Sequence, residues 1–253
     1  MHKRNRAHYL ENFPPPPNVG PGESCRTRTL YFLRKLADLQ VASVLMHLVP
    51  WLKSLSGDVL EVGCGAQPYR HLLPEACNYH CLDSALAAEA FGYTVPGVTY
   101  YSGGEFAFPS GSFDYVFHTE VLEHIYDTRM FLSQCRRVLR DGGQMFFSVP
   151  FQARYHYIPH DYWRFTPAAL ERILAESGFR TEVIHPRGTD VTVAAYKVLS
   201  VINRQLRGTP VEKLCGVLSS PMVVPILCIG HLSMRWRVGS ENDCLGYCVV
   251  ATA

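Results

Sequence analysis

Asp58-Val-Leu-Glu-Val-Gly-Cys-Gly65 decides how this chain folds. Its first five residues are a short apolar run broken by one acid, bounded by Gly57 and by the pair Gly63 and Gly65. Such a run reads as a buried strand that stops abruptly and turns into a helix, opened by Pro68 and ending at Leu73. Glycines one residue apart let backbone N–H groups approach a ligand where a Cβ would collide with it. Glu61 stands just before the turn, and Asp83 lies 20 residues beyond Gly63, after Tyr79-His-Cys-Leu82. A glycine turn followed at that interval by an acid is how a doubly wound fold holds a ribose, the carboxylate accepting from the sugar hydroxyls.

The same residues choose between nucleotides. A dinucleotide site wants a third glycine at position 68, where helix and strand pack closely and the pyrophosphate meets the helix start. Position 68 is Pro, and Glu61 beside the turn repels a pyrophosphate but suits a ligand carrying an ammonium group. S-adenosylmethionine therefore fits better than NAD. Leu60-Glu-Val-Gly-Cys-Gly65 resembles the first motif of the class I methyltransferases. That resemblance implies cofactor contacts at Glu61, Gly63, Cys64, Gly65, Asp83 and Ser84.

Outward from this turn, strands and helices alternate. Strands are expected at 79–82, 98–101, 115–117, 145–149, 181–184 and 245–251, and helices at 85–90, 128–139 and 166–178. Thr166 and Pro167 are start signals for the last of these helices, Gly178 ends it, and Asp141-Gly-Gly143 reads as the exit turn of the one before. The alternation implies an α/β fold, a mostly parallel sheet with helices on both faces. The family resemblance makes it seven-stranded and Rossmann-like, with an antiparallel last strand. Loops at the carboxyl ends of the strands should converge on one crevice, where the strand order reverses.

Residues 1–25, with Pro14-Pro-Pro-Pro17, read as an extended arm, and 26–253 as one domain. Apolar residues at helical spacing from Leu30 to Leu48 give one or two helices over 29–53, interrupted at Pro50. The segment 188–243 is an insertion that the core does not need, expected to cover the substrate side. It holds a helix over 193–206 and the apolar run 217–232, which carries Pro221 and Pro225 and reads as too short to span a membrane comfortably. That run is a packed cover, or else a peripheral membrane contact or homodimer surface.

Composition limits the function classes. The 253 residues are 47% hydrophobic and 18% charged, with a net charge of +2, so no field argues for nucleic acid. Nine scattered cysteines fit reduced thiols in a cytoplasmic protein better than a disulfide framework. The basic start Met1-His-Lys-Arg-Asn-Arg6 is followed by no apolar run, so it does not read as a secretory signal.

The segment from Phe106 through Ser112-Phe-Asp114 to Val121-Leu-Glu-His124 resembles the family's Leu-Pro-Phe, Ser-Phe-Asp and Val-Leu-Glu-His elements. The resemblance implies that Gly104, Glu105 and Phe106 border the adenine and that His118 lies beside the methionine part. The acid usual for the adenine amino group would fall near Ser102, a departure that leaves Glu105 or a backbone carbonyl to substitute. Further on, Asp161-Tyr-Trp-Arg-Phe-Thr166 is similar to a signature of a type 11 methyltransferase subgroup, often associated with glycan or other small-molecule biosynthesis.

Methyl transfer is an in-line displacement at a sulfonium carbon, so alignment and exclusion of water supply most of the acceleration. Tyr155, Tyr157, Tyr162 and Trp163 could form an aromatic pocket for the sulfonium. A hydroxyl acceptor must lose its proton, for which His156, His160 and His124 are candidate bases and Asp161 an orienting group or alternative base. Asp161 and Arg164 could equally pair to pin the loop. His156 and His160 have helical metal-ligand spacing, but Pro159 argues against a helix there, so no metal is expected. The favoured function is methylation of a small molecule or glycan, with oxygen the preferred atom. A cofactor-binding partner protein without transferase activity is the alternative, and an NAD-dependent oxidoreductase is disfavoured by Pro68 and Glu61.

Overall fold

The computed structural model describes residues 20–21, 24–91, 95–156 and 160–253. Most of the expected N-terminal arm and Tyr157 lie outside them. Two helices, α1 (Cys25–Ala37) and α2 (Leu39–Lys53), precede the first strand, β1 (Gly57–Val62). There follow β2 (Cys77–Ser84), α3 (Ala85–Phe91), β3 (Thr99–Tyr101), β4 (Phe113–Thr119), α4 (Thr128–Val138), β5 (Leu139–Pro150), α5 (Pro167–Glu176) and β6 (Arg180–Pro186). The helices α6 (Asp190–Gln205), α7 (Pro210–Ser219) and α8 (Val223–Trp236) lead to β7 (Gly246–Thr252).

The strands form one seven-stranded sheet in the order β3-β2-β1-β4-β5-β7-β6. Pairing is parallel from β3 to β5, and β7 runs antiparallel between β5 and β6. Alternation within the strands fills both faces. Val116, Met145 and Phe147 pack on one face with Phe131 and Leu132 of α4 and Leu170 of α5. Phe117 and Phe146, one residue along, pack on the other face with Val44, Leu48 and Leu52 of α2. A third cluster joins Leu39 of α2, Val193 and Ala195 of α6 and Met234 of α8, so the 188–243 segment docks on α2.

Several boundaries differ from expectation. The helical break near the N-terminus falls at Asp38, whose carboxylate caps α2 by accepting from Gln40 and Val41 N, while Pro50 sits inside α2. After Gly65 there is a single 3-10 turn, Arg70–Leu72, where a helix from Pro68 was expected. Asp141-Gly-Gly143 is no exit turn. It belongs to β5, because Gly142 N donates to Ala253 O and Ala253 N donates to Gly143 O, extending the ladder onto the chain end.

The 217–232 run is also longer in space than its sequence implied. The helices α7 and α8 are joined by a 3-10 turn, Ser220–Met222, that accommodates Pro221. Together they make a 27-residue helical stretch, Pro210–Trp236, long and apolar enough by length and composition to cross a membrane: an 18-residue window of it has mean hydropathy 1.7 and is 11% buried. Val211, Leu214, Leu218, Val224 and Trp236 are exposed while Ile226 and Leu227 pack against the cluster of Leu39, Val193 and Met234, so the 217–232 run is only in part the packed cover that was expected.

Candidate active site

The strand order reverses at β1, which lies between β2 and β4, and the ends of these strands define the crevice. Gly63 follows β1 with φ 72°, and a Cβ there would stand 2.4 Å from Val121 Cγ2, so no other residue fits without displacing the turn after β4. Gly63 N donates to Leu82 O at 2.8 Å, tying the bend to β2. Asp83 faces this bend: its Oδ2 accepts from Gly65 N at 2.9 Å and its Oδ1 from Ser84 N at 2.7 Å. The carboxylate is 4% exposed, and the bend is closed over it. Cys64 is buried within the bend.

Glu61, 2% exposed, lies one residue from the end of β1 on the α2 side of the sheet, where its Oε2 accepts from the Tyr79 hydroxyl. Burial pushes its carboxyl up to about 8, against the pull of the Tyr79 bond. Two acids thus flank a glycine bend, one placed for a diol and one that a cationic group would ionise. Those two acceptors fit a nucleoside that also carries an ammonium group.

On the far side, Glu105 is exposed with Oε1 3.5 Å from Arg137 Nε, while the Phe106 ring is buried between Tyr101 and Phe131. What can face an adenine here is the 102–105 backbone rather than the Phe106 ring. Gly104, at φ 82°, belongs to this loop. His118 needs correction as a ligand contact. Its imidazole is wholly buried, stacked 4.9 Å from Phe147 and edge-on to Phe131, with neither nitrogen hydrogen-bonded. Burial lowers it to about 3, so it is a neutral core ring closed off from the crevice. A cavity of about 780 Å³ lies at the β6 edge, lined by residues such as Glu171, Ile184 and Tyr247, away from the glycine bend.

The candidate bases meet at the mouth of the crevice. After β4 the chain makes a 3-10 turn, Leu122–His124, and the loop after β5 folds over it: Tyr162 N donates to Glu123 O at 2.8 Å. His124 and His156 lie 4.9 Å apart between ring centroids. His124 Nδ1 donates to the His160 carbonyl at 2.7 Å, which fixes the proton on Nδ1. Burial lowers His124 to about 4, so the ring is neutral at ordinary pH. His160 itself turns its Nδ1 toward the Tyr162 hydroxyl, 3.0 Å away.

Asp161 is committed as a strut. Its two oxygens accept from Arg164 at 2.6 and 2.7 Å, and Oδ2 also accepts from His156 N at 3.0 Å. Burial works to raise this carboxyl, but Arg164 and His156 overcome it and hold it well below the usual carboxylate range. The pairing of Asp161 with Arg164 leaves it to orient His156, whose Nδ1 lies 3.1 Å from Oδ2, rather than to act as a base. Burial opposes protonation of His156, yet the Asp161 bond brings its pKa above the ordinary value. Trp163 Nε1 donates to Ile125 O, and Tyr155, Tyr162 and Trp163 are partly exposed along this loop.

Two residues, Glu120 and Arg187, went unrecognised as part of the site. Glu120, at the end of β4, adopts φ 54°, a left-handed conformation that costs a non-glycine residue energy. Its carboxylate accepts from Ser148 Oγ and pairs at 2.6 Å with Arg187, which is entirely buried and also donates to Ser43 Oγ, Val149 O and Gln40 Oε1. Glu123 is wholly buried, and neither of its carboxylate oxygens has a hydrogen-bond partner among the described residues. The Val-Leu-Glu-His motif pointed at Glu123, but nothing local distinguishes Arg187 from a surface arginine.

The methyltransferase domain family matches residues 32–183. A probable S-adenosylmethionine-dependent methyltransferase of Mycolicibacterium smegmatis is 33% identical over 97 residues, 37% of this chain and 38% of that protein. A ubiquinone biosynthesis O-methyltransferase of Thiobacillus denitrificans is 30% identical over 121 residues, 41% of this chain and 49% of that protein. The chain spans less than half the length of these curated relatives. Among solved structures, a SAM dependent methyltransferase from Archaeoglobus fulgidus shares the fold, with a TM-score of 0.51 and 16% identity over 88% of this chain and 99% of that one.

Proposed function

The chain belongs to the methyltransferase domain family, and from that premise we propose that it binds S-adenosylmethionine at the Gly63–Gly65 bend and methylates a hydroxyl of a small-molecule or glycan acceptor. The observation that carries this reading is Asp83 held at the glycine bend beside a buried Glu61, at the point where the strand order reverses. When bound, the cofactor supplies an electrophilic methyl group: the acceptor oxygen bonds to its carbon while the carbon–sulfur bond breaks and leaves its electron pair on sulfur.

The chain's own residues do the rest. Asp83, whose carboxylate already accepts from Gly65 N and Ser84 N at the bend, accepts from the ribose hydroxyls. Glu61 gives up its proton to face the ammonium group, and the 102–105 backbone borders the base. An imidazole of the group His124, His156 and His160 takes the hydroxyl proton, with Asp161 orienting His156. The loop carrying Tyr155, Tyr162 and Trp163 excludes water and offers aromatic faces to the sulfonium. The oxygen preference is supported by the Thiobacillus relative, an O-methyltransferase by name. The finer assignment to a type 11 subgroup rests on Asp161–Thr166 as a sequence signature.

A cytoplasmic location belongs to the same proposal and is supported by nine free cysteines. Residues 26–54 and 188–243 select the acceptor, and the exposed 210–236 helices meet a membrane surface rather than a second copy. Basic Arg204, Arg207, Lys213 and Arg235 accompany that apolar stretch, and α1 carries Arg26, Arg28, Arg34 and Lys35 without an acid. Nucleic acid is not a partner in this reading.

Calorimetric titration tests the cofactor assignment. Wild-type protein should bind S-adenosylmethionine with a Kd on the order of micromolar or tighter. Asp83→Ala, checked for folding by circular dichroism, should bind none measurably, and unchanged binding would refute the ribose assignment. Radiolabelled methyl that never leaves the cofactor for any acceptor in an extract would favour a binding protein without transferase activity.

A further inference from the structure

We infer that Glu123, His124 and His156 form a site for one divalent first-row transition-metal ion, which holds the acceptor oxygen beside the glycine bend. The metal site stands on its own geometry, and its use for the acceptor rests on the methyltransferase reading.

The three side chains come from two separate loops, the turn after β4 and the loop after β5, and their ligand atoms all lie within 4.8 Å of one another. Glu123 Oε1 is 3.7 Å from His124 Nε2, and the two imidazoles meet at an interplanar angle of 80°, so their nitrogens approach one point from different directions. Ligands about 2.1 Å from one ion stand about 3.4 Å apart in tetrahedral geometry, so the cluster needs to close by up to about 1.4 Å.

The unpartnered Glu123 is the second, independent observation. A carboxyl fully removed from water with neither oxygen hydrogen-bonded is unfavourable, and folded proteins rarely leave one so. A dication between it and the two rings would compensate its charge. Glu120, three residues earlier, adds strain at the same turn and a second carboxylate nearby.

The surroundings orient both rings as ligands. His124 Nδ1 donates to His160 O, and His156 Nδ1 donates to Arg154 O at 3.0 Å with the Asp161 carboxylate at 3.1 Å. A carbonyl can only accept, so in each neutral ring the proton sits on Nδ1 and the lone pair on Nε2. Outer oxygens of this kind commonly fix metal-binding histidines. Asp161 is itself locked by Arg164.

Two imidazoles and one carboxylate favour manganese, iron, cobalt or zinc over magnesium or calcium. Three protein ligands leave open positions for an acceptor hydroxyl. Val121, in the same turn, touches the Gly63 bend, so an oxygen held there lies next to the cofactor site. The ion would lower the hydroxyl's pKa, and with His124 and His156 serving as ligands the proton would pass to His160, the remaining imidazole of the three candidate bases. The expectation of no metal considered His156 with His160 along the chain, whereas the fold pairs His156 with His124.

The experiment uses full-length protein stripped with a chelator, reloaded with Mn²⁺, Co²⁺ or Zn²⁺ and dialysed. Elemental analysis should find one ion per chain, and Co²⁺ should give visible absorption bands. His156→Ala and Glu123→Gln, with folding checked by circular dichroism, should weaken Mn²⁺ binding by roughly 100-fold or more, beyond the 10–100-fold of an outer-residue change. His156→Ala carries the test if Glu123→Gln fails to fold. Absence of stoichiometric metal, or unaltered affinity in the folded variants, would overturn the site. Titration of S-adenosylmethionine on the same samples separates the readings: its failure with metal retained would sink the cofactor assignment and leave the site standing.

Discussion

Glu61 joins the sequence to the chemistry at the scale of one residue. A strand buried on both faces has no reason to carry an acid unless something pairs with it, and here the described partner is a Tyr79 hydroxyl. Its folded pKa, about 8, stands above its ordinary 4.5, so the fold favours the protonated form. Stability from this group is fully present below pH 4.5 and is lost as pH rises toward 8, by up to about 1.4 kcal/mol per pH unit. Glu61→Gln should therefore gain stability over wild type across that window in the ligand-free protein, measured as the difference between the two melting profiles. A difference that stays flat from pH 5 to 8 would sink this account. Glu61 and Asp83 were both legible beforehand, because glycine spacing and an acid at a fixed interval are local patterns. His118 was misjudged because only packing tells that its ring is enclosed by Phe131 and Phe147.

Among elements, Arg187 ties together parts that share no sequence proximity. Its guanidinium, just past β6, reaches α2 through Ser43 and Gln40, the end of β4 through Glu120 and the end of β5 through Val149. Removing it leaves a carboxylate and several buried acceptors without their donor. Arg187→Met should cost about 3–5 kcal/mol in urea unfolding, and adding Glu120→Gln should recover part of it by removing the uncompensated charge. A loss under about 1 kcal/mol would show that solvent already screens Glu120. The strands and most helices were readable from periodicity and caps, as with Thr166 and Pro167 opening α5. The absence of a helix after Pro68 was not, since a proline start signal cannot report whether the next turns have room or a surface to pack on.

For the molecule as a whole, the long helical stretch Pro210–Trp236 beside a basic α1 sets the expected surface behaviour. His231 Nε2 lies 2.7 Å from Leu36 O, so α8 and the end of α1 are neighbours, and Leu30, Phe32 and Leu33 extend the exposed apolar surface. The protein should sediment with vesicles containing anionic lipid more than with neutral ones, less so as salt rises. Leu218→Glu should weaken that association without changing cofactor binding. A protein that ignores both vesicle types would count against the membrane reading, and a dimer broken by Leu218→Glu in light scattering would assign the face to a second copy instead.

The sequence by itself determined the doubly wound sheet, the glycine bend and the acids around it, because strand periodicity, turn chemistry and a fixed loop length act over a few residues. Tertiary structure alone decided which histidines meet, that Glu123 and Arg187 are buried, and that the 217–232 run lies on the surface. Those depend on side chains arriving from distant strands, and a contact between residues far apart in the chain leaves no periodic trace in either segment.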